Sequence, residues 1–343
     1  MRREWKPDGN AVLVTGAAGL IGNQVLRVLA SQGYRVTGLD IVNGYGSAAP
    51  DSLNTVRRLQ QDFADARVLN SVARGDYRAI VHHAAIVDTT LQDSNLMMRE
   101  NSERVLELAQ AAHHSGAYFI YASSFSVYGR IAFGCQVRED SSTQDGECSG
   151  PLNAYAQSKL ALDEAMLRAY RSTNWFWAAL RYTNAFGRGE ATKGRMASMM
   201  YQVLRNAAQG ETIRLFKGTL NASRDYVPVQ MIANCITRML GRPGAPGIYN
   251  VGSGVPISFA TLLQWCSDYM SPDTVCVEFV DNPFPDAYQY WTCADMSKWR
   301  DEFGPVWQLT KDGIYREAKT LFDDLRQSAA HALALSSANP DDE

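Results

Sequence analysis

Tyr155 and Lys159 stand four residues apart in the stretch NAYAQSKLALDEAMLRAY. Its pattern predicts a helix beginning near residue 153, and positions i and i+4 of a helix share a face, so a phenol and an ammonium are expected side by side. A phenol of ordinary pKa, about 10, is a poor base at neutral pH, and a nearby positive charge favours its phenolate. The pair therefore reads as a proton-transfer device. Such a device needs a group that holds the oxygen being protonated or deprotonated. The stretch YASSFSVYG ends a predicted strand with Ser123 and Ser124. Ser124 is the candidate to orient a reacting hydroxyl or ketone, and Ser123 is taken with it as substrate-binding.

A second constellation indicates what accompanies the proton. VLVTGAAGLIG places Gly16, Gly19 and Gly22 where a first strand meets a first helix, with Leu20 and Ile21 between them. Glycines there allow a tight turn and a close backbone approach to a pyrophosphate at the positive end of the helix. Asp40, followed by Ile41, ends the second strand about 20 residues on, where a carboxylate binds both ribose hydroxyls and repels a 2′-phosphate. No Lys or Arg follows before Arg57. NAD is thus the expected cofactor and NADP the alternative. Asp62 and Phe63 at the end of the third strand are placed to meet an adenine edge. His83, Ala84 and Ala85 close the fourth strand, where the small residues leave room for a dinucleotide. A bound nicotinamide moves hydride while Tyr155 and Lys159 move a proton.

These residues need a scaffold that brings strand ends together. Short apolar runs (AVLVTG, YRVTGLD, AIVHHAA, AYFIYASS) alternate with longer helical patterns (LIGNQVLRVLASQG, DSNLMMRENSERVLELAQAAHHSG). Strand and helix in alternation predict a Rossmann-like, doubly wound parallel sheet. Residues 130–150 read as a polar surface loop. After residue 188 the rhythm becomes shorter and Gly/Pro-punctuated, so the expected layout is a dinucleotide domain over 1–188 that also receives part of 225–255. A smaller substrate lobe is expected over 189–330 and a disordered tail over 331–343. Length agrees, since single cores rarely grow beyond roughly 250 to 300 residues and the chain has 343.

Composition excludes several classes. A formal charge of −3 provides no basic field for nucleic acid or anionic lipid. The six cysteines lack C-x-x-C spacing, so neither zinc nor a disulfide framework is indicated, and a reducing cytoplasm is expected. MRREWKPDGN carries no apolar signal segment, and no apolar run is long enough to span a bilayer. No metal, nucleic acid or membrane partner is expected.

The glycine turn, the strand-end serine and the Tyr-x-x-x-Lys helix, in this order, resemble the extended short-chain dehydrogenase/reductase family over essentially the whole chain. That resemblance implies contact between Lys159 and the nicotinamide ribose, and it gives Asn101 a supporting role at the cofactor. Phe125 and Ser126 follow Ser124 where the family's dehydratases carry an Asp-Glu pair, so dehydration is not expected. LRYTNAFGRGEATKGRMASMM and LFKGTLNASRDYVPV are similar to the ADP-glycero-manno-heptose 6-epimerases of that family. The similarity makes Lys193 a second acid/base and implies inversion at C6 of a nucleotide-activated heptose. A 4-epimerase or ketoreductase of the same family is the alternative, and a non-catalytic NAD-binding regulator the reading from another class. Arg224 resembles a diphosphate-gripping arginine, while Asn184, Tyr288 and Gln289 are candidates for the diphosphate and sugar hydroxyls. The helical patterns near 94–115 and 153–171 are expected to pair in a homodimer, with larger homo-oligomers open.

Overall fold

The computed structural model describes residues 10–42, 56–270, 275–283, 285–305 and 309–338. In the first half, strands β1 (Ala11–Thr15), β2 (Arg35–Asp40), β3 (Val56–Gln60), β4 (Ala79–His82), β5 (Tyr118–Ser124) and β6 (Trp177–Tyr182) alternate with helices. These are α1 (Leu20–Ser31), α2 (Ala66–Ala73), α3 (Ser94–Met98), α4 (Arg104–Ser115) and α5 (Ala154–Tyr170). The second half contains β7 (Asn184–Phe186), α6 (Met199–Gln209), β8 (Ile213–Phe216), β9 (Ser223–Pro228), α7 (Val229–Gly241) and β10 (Gly247–Val251). It ends with β11 (Pro256–Ser258), α8 (Phe259–Tyr269), β12 (Val277–Val280), α9 (Ser297–Phe303) and α10 (Lys311–Ala338).

Seven parallel strands form the main sheet in the order β10-β6-β5-β4-β1-β2-β3, the Rossmann-like arrangement expected. The order reverses between β1 and β4, which is where ligands of doubly wound sheets bind. Burial on both faces explains the apolar strands, and β6 is buried at every position. Side chains alternate between the two faces. Val12, Val14, Ile120, Ala178 and Leu180 pack under α1 and α7, while Leu13, Ile80, Phe119, Tyr121 and Trp177 pack under α2, α4 and α5. A second core joins α6, α8, α10 and β8 around Met200, Leu204, Leu215, Tyr226, Trp265 and Phe322.

Helix starts follow local chemistry. Asn153 caps α5 by accepting from the Ala156 N–H at 2.9 Å, and Ser198 caps α6 by accepting from Tyr201 N–H at 3.1 Å. Three features depart from expectation. The helical pattern near 94–115 is interrupted by a π-turn at Arg99–Glu103. Residues 130–150 are not merely surface, since Val137 is buried and pairs with Ala294. The final helix runs on to Ala338, through most of the segment expected to be disordered; residues 339–343 lie outside the described residues. Among the described residues no helix is long and apolar enough to cross a membrane.

Candidate active site

The carboxyl ends of the parallel strands open into a cavity of about 640 Å³, within the usual range of roughly 300–1,000 Å³ for cofactor and ligand sites. Its floor is the glycine turn. Gly16 has a left-handed φ of +64°, and a Cβ there would lie 2.5 Å from the Ala84 nitrogen. A Cβ on Gly22 would lie 2.1 Å from the Gly16 carbonyl oxygen, so both glycines are required by close backbone approach. Gly19 begins α1 without a side-chain cap. The first-turn N–H groups, including those of Leu20, Ile21 and Gly22, thus have the positive helix end to offer an anion. Asp40 is held beside this turn, accepting from Ala18 N–H at 3.0 Å and Val42 N–H at 3.2 Å. Ile41, Asp62, Phe63, His83, Ala84 and Ala85 line the same cavity.

Two of these side chains have protein partners of their own. Asp62 accepts from Ala64 N–H and pairs with Arg104 at 2.7 Å. Burial works to raise its pKa, but these bonds prevail and hold the carboxyl below its usual range. His83 meets the Tyr182 hydroxyl at 3.0 Å, and the two rings stack with centroids 5.9 Å apart. Burial, with the Lys159 charge adding to it, depresses the imidazole to about 3, so His83 is neutral at physiological pH.

Ser124, Tyr155 and Lys159 line the cavity together. The Ser124 hydroxyl accepts from Ser126 N–H at 3.2 Å and shares a 2.8 Å bond with the Ser126 hydroxyl. Lys159, only 1% exposed, donates to the Ala122 carbonyl at 2.8 Å and lies 5.9 Å from the centre of the Tyr155 ring. Burial lowers its pKa to about 8 against the opposing pull of Asp163. The phenol differs from expectation: burial raises the pKa of Tyr155, and a hydrogen bond with Ser124 only partly offsets that. The ammonium, over the ring, does not reverse that upward shift.

Asp163, one turn beyond Lys159 on α5, was not singled out from sequence. It is fully buried and accepts from the Tyr121 hydroxyl at 3.0 Å, the Ser123 hydroxyl at 2.9 Å and Arg181 Nε at 2.9 Å. Ser123 lines the cavity beside Ser124, and its hydroxyl donates to Asp163. Asn101 lies behind the cavity. It is fully buried, does not line the cavity, accepts from Ile86 N–H and donates to Ile86 O, both at 2.9 Å, and donates to the Ser158 hydroxyl at 3.2 Å. The carboxamide ties the segment after β4 to α5, and the π-turn is the backbone device that places it there.

Lys193 reaches the cavity from the loop between β7 and α6, together with Met196, Ala197, Ser198 and Met199. Glu190 at the base of this loop was also missed by sequence reasoning. It is fully buried and accepts from Gly187 N–H at 3.0 Å, Ser198 N–H at 2.6 Å and the Ser198 hydroxyl at 3.1 Å. Burial raises its pKa despite these donors. Asn184 lines the cavity while donating to the Asp225 carbonyl at 3.1 Å. Arg224 lies outside the cavity lining, with its guanidinium 5.1 Å from the Tyr288 ring centre and 5.7 Å from that of Phe259. Gln289 donates to the Gly129 carbonyl and is taken up in holding the loop that begins there.

A parallel sheet with its crevice at the topological switch, a glycine turn and a strand-end carboxylate held beside that turn define a dinucleotide-binding type of α/β fold carrying a Ser/Tyr/Lys cluster. Residues 12–252 match the model of the NAD dependent epimerase/dehydratase family. The chain belongs to that family, and NAD is its cofactor. The close approach required at Gly16 and Gly22 and the fixed carboxylate of Asp40 fit that cofactor. Among solved structures, the chain is similar to Helicobacter pylori ADP-L-glycero-D-manno-heptose-6-epimerase, with 21% identity and a TM-score of 0.73 over 94% of this chain and 97% of that one. It is also similar to a UDP-N-acetylglucosamine 4-epimerase from Methanobrevibacter ruminantium, with 21% identity and a TM-score of 0.79 over 93% and 98%. A third is a Thermus thermophilus UDP-glucose 4-epimerase complexed with NAD, with 24% identity and a TM-score of 0.74 over 92% and 99%.

Proposed function

We propose that this chain is a nucleotide-sugar epimerase that inverts C6 of a nucleotide-activated heptose. The observation that carries the reading is that a phenol and an ammonium, Tyr155 on α5 and Lys193 on the β7–α6 loop, line one cavity with Ser124. Inversion requires the transient ketone to reorient so that hydride returns to its other face, and acid/base groups on opposite sides can exchange the hydroxyl proton in either orientation. Bound NAD supplies the hydride acceptor and donor, with no net redox. Ser124 orients the carbinol oxygen. Tyr155 exchanges the hydroxyl proton on one face and Lys193 on the other, while Lys159 adds positive charge near the phenol and the cofactor ribose.

Arg224, flanked by Tyr288, is assigned to the diphosphate, work that suits a guanidinium. Asn184 is assigned to the same part of the substrate. The same reading takes the cytoplasm as the place of action and a homodimer formed through the α3–α4 and α5 helices as the assembly, which light scattering coupled to gel filtration checks. The principal test is incubation with ADP-, GDP-, CDP- and UDP-activated heptoses in deuterated water, followed by NMR. Inversion at C6 without deuterium at that carbon is expected. Inversion only at C4 of a UDP-hexose supports the 4-epimerase instead, and stoichiometric NADH consumption with a ketosugar supports the reductase.

A further inference from the structure

The two segments that flank the cavity at residues 86–91 and 187–198 are far apart in the chain, yet an ion pair joins them. Arg195 Nη2 lies 2.9 Å from Asp88 Oδ2 and 3.5 Å from the Thr90 hydroxyl. Asp88 is braced to receive it, since its other oxygen accepts from Thr90 N–H at 2.9 Å and from the Thr90 hydroxyl at 2.6 Å. The immediate neighbours of the pair, Val87 and Thr89 on one side and Met196 on the other, line the NAD cavity. The charged groups themselves face solvent, with side-chain exposures of 74% for Arg195 and 34% for Asp88. The bridge therefore spans the rim of the cavity from outside.

The geometry points to Arg195 and Asp88 as positioning residues: we propose that they clasp the Lys193 loop over the cavity and slow the departure of NAD. The loop is built to depend on such a tie. Glu190 ties both ends of the segment, Gly187 and Ser198, and between them the backbone turns through left-handed glycines at Gly189 (φ +99°) and Gly194 (φ +52°). Glycine hinges leave the middle of the segment, where Lys193 sits, free to adopt more than one path unless something holds it. The clasp is that further anchor, and its loss leaves Lys193 and Met196 on a segment without its tie to the 86–91 side of the cavity. This inference rests on the cofactor and not on the identity of the sugar. An enzyme that must return a hydride to the carbon it came from needs its cofactor retained between half-reactions, and loop opening gates release.

The test follows dissociation of NADH from the full-length protein. NADH fluorescence is recorded after mixing the loaded protein with excess NAD in a stopped-flow instrument. An exposed ion pair has a modest effect, so Arg195→Gln and Asp88→Asn are each expected to release NADH about three- to fivefold faster. Asp88→Asn keeps an oxygen for Thr90, and Arg195→Gln leaves that turn untouched and carries the test even where the first variant is poorly folded. The double variant is expected to release no faster than either single one, because both remove the same interaction. In about 1 M salt, where the screening length is about 3 Å, the unmodified protein should approach the rate of the variants. Release at the original rate from Arg195→Gln overturns the proposal, as does a double variant whose acceleration is the product of the two singles.

Discussion

Tyr155 is held as a neutral phenol by burial, and the residues around it do not bring it to the phenolate. Its role is then tied to the moment when positive charge and a carbinol hydroxyl are both present. Tyr155→Phe is expected to retain NADH binding while kcat falls about 100- to 10,000-fold, the usual contribution of a positioned acid/base. Fluorescence titration and a coupled turnover assay separate the two, and loss of binding in proportion to kcat would count against a proton-transfer role. Lys159 gives a pH prediction of definite sign. Its pKa of about 8 in the folded protein lies below the value of about 10.4 of a free lysine, so the buried ammonium costs the nucleotide-free fold on the order of 3 kcal/mol at neutral pH. Between about pH 8 and 10.4 the unfolded chain binds the extra proton, and that cost is progressively relieved. In urea titrations the stability difference between Lys159→Met and the unmodified protein should therefore narrow from pH 8 to pH 10, and a constant gap contradicts the assignment. Residue types and spacings were readable here: Gly16, Asp40, Ser124, Tyr155, Lys159 and Lys193 all line one cavity. The direction of Ser123 was readable too. Alternation along a strand sets Tyr121 and Ser123 on one face and Ser124 on the other, and both residues of the first face donate to Asp163.

At the scale of elements, α5 presents Tyr155 and Lys159 to the cavity and Asp163 to the sheet, so the reactive pair is only as fixed as the anchor one turn later. Asp163 and Arg181 are both buried, and the guanidinium also covers the Tyr128 ring at 4.8 Å. Asp163→Asn keeps an acceptor for Ser123 but leaves Arg181 charged and without its carboxylate. Breaking such a buried pair costs about 3–5 kcal/mol, and urea unfolding should show that loss. Asp163→Asn with Arg181→Met should recover part of it, because the uncompensated charge is gone; no recovery would place the loss in the Tyr121 and Ser123 bonds instead. Alternating apolar runs made most strands and helices of the first half legible. The π-turn at Arg99–Glu103 was not, since nothing in local propensity distinguishes one inserted residue in a continuous helical pattern. Glu190 was hidden for a related reason. A glutamate in a Gly-rich polar loop reads as solvated, and only the tertiary fold shows three donors converging on it.

The whole molecule is not a dinucleotide domain with an independent lobe attached. After leaving the main sheet at β6 the chain passes through β9, covers α1 with α7 and returns as β10, which pairs with β6 from Gly247–Ala178 to Val251–Tyr182. Asp225 on β9 makes the junction rigid. Its buried carboxylate accepts from Ser253 N–H at 2.7 Å, Gly254 N–H at 3.0 Å and Ala294 N–H at 2.9 Å, tying β9, the turn after β10 and the C-terminal segment into one knot. The change of rhythm near residue 188 and the return of part of 225–255 to the first domain are readable in the sequence, but the pairing of β10 with β6 is not, because it depends on contact across some 65 residues between them. A physical consequence distinguishes this arrangement from two separable domains. A fragment ending at residue 188 has every glycine and every residue of the Ser/Tyr/Lys site, yet it leaves β6 with an open edge and bares the apolar face of α1 that Ile232, Ile236 and Met239 cover. Such a fragment is expected to aggregate or bind a hydrophobic dye and to fail to bind NADH. A soluble monomer with cooperative unfolding and NADH binding would show instead that the first 188 residues fold alone and that β10 is an accessory to a sheet already stable without it.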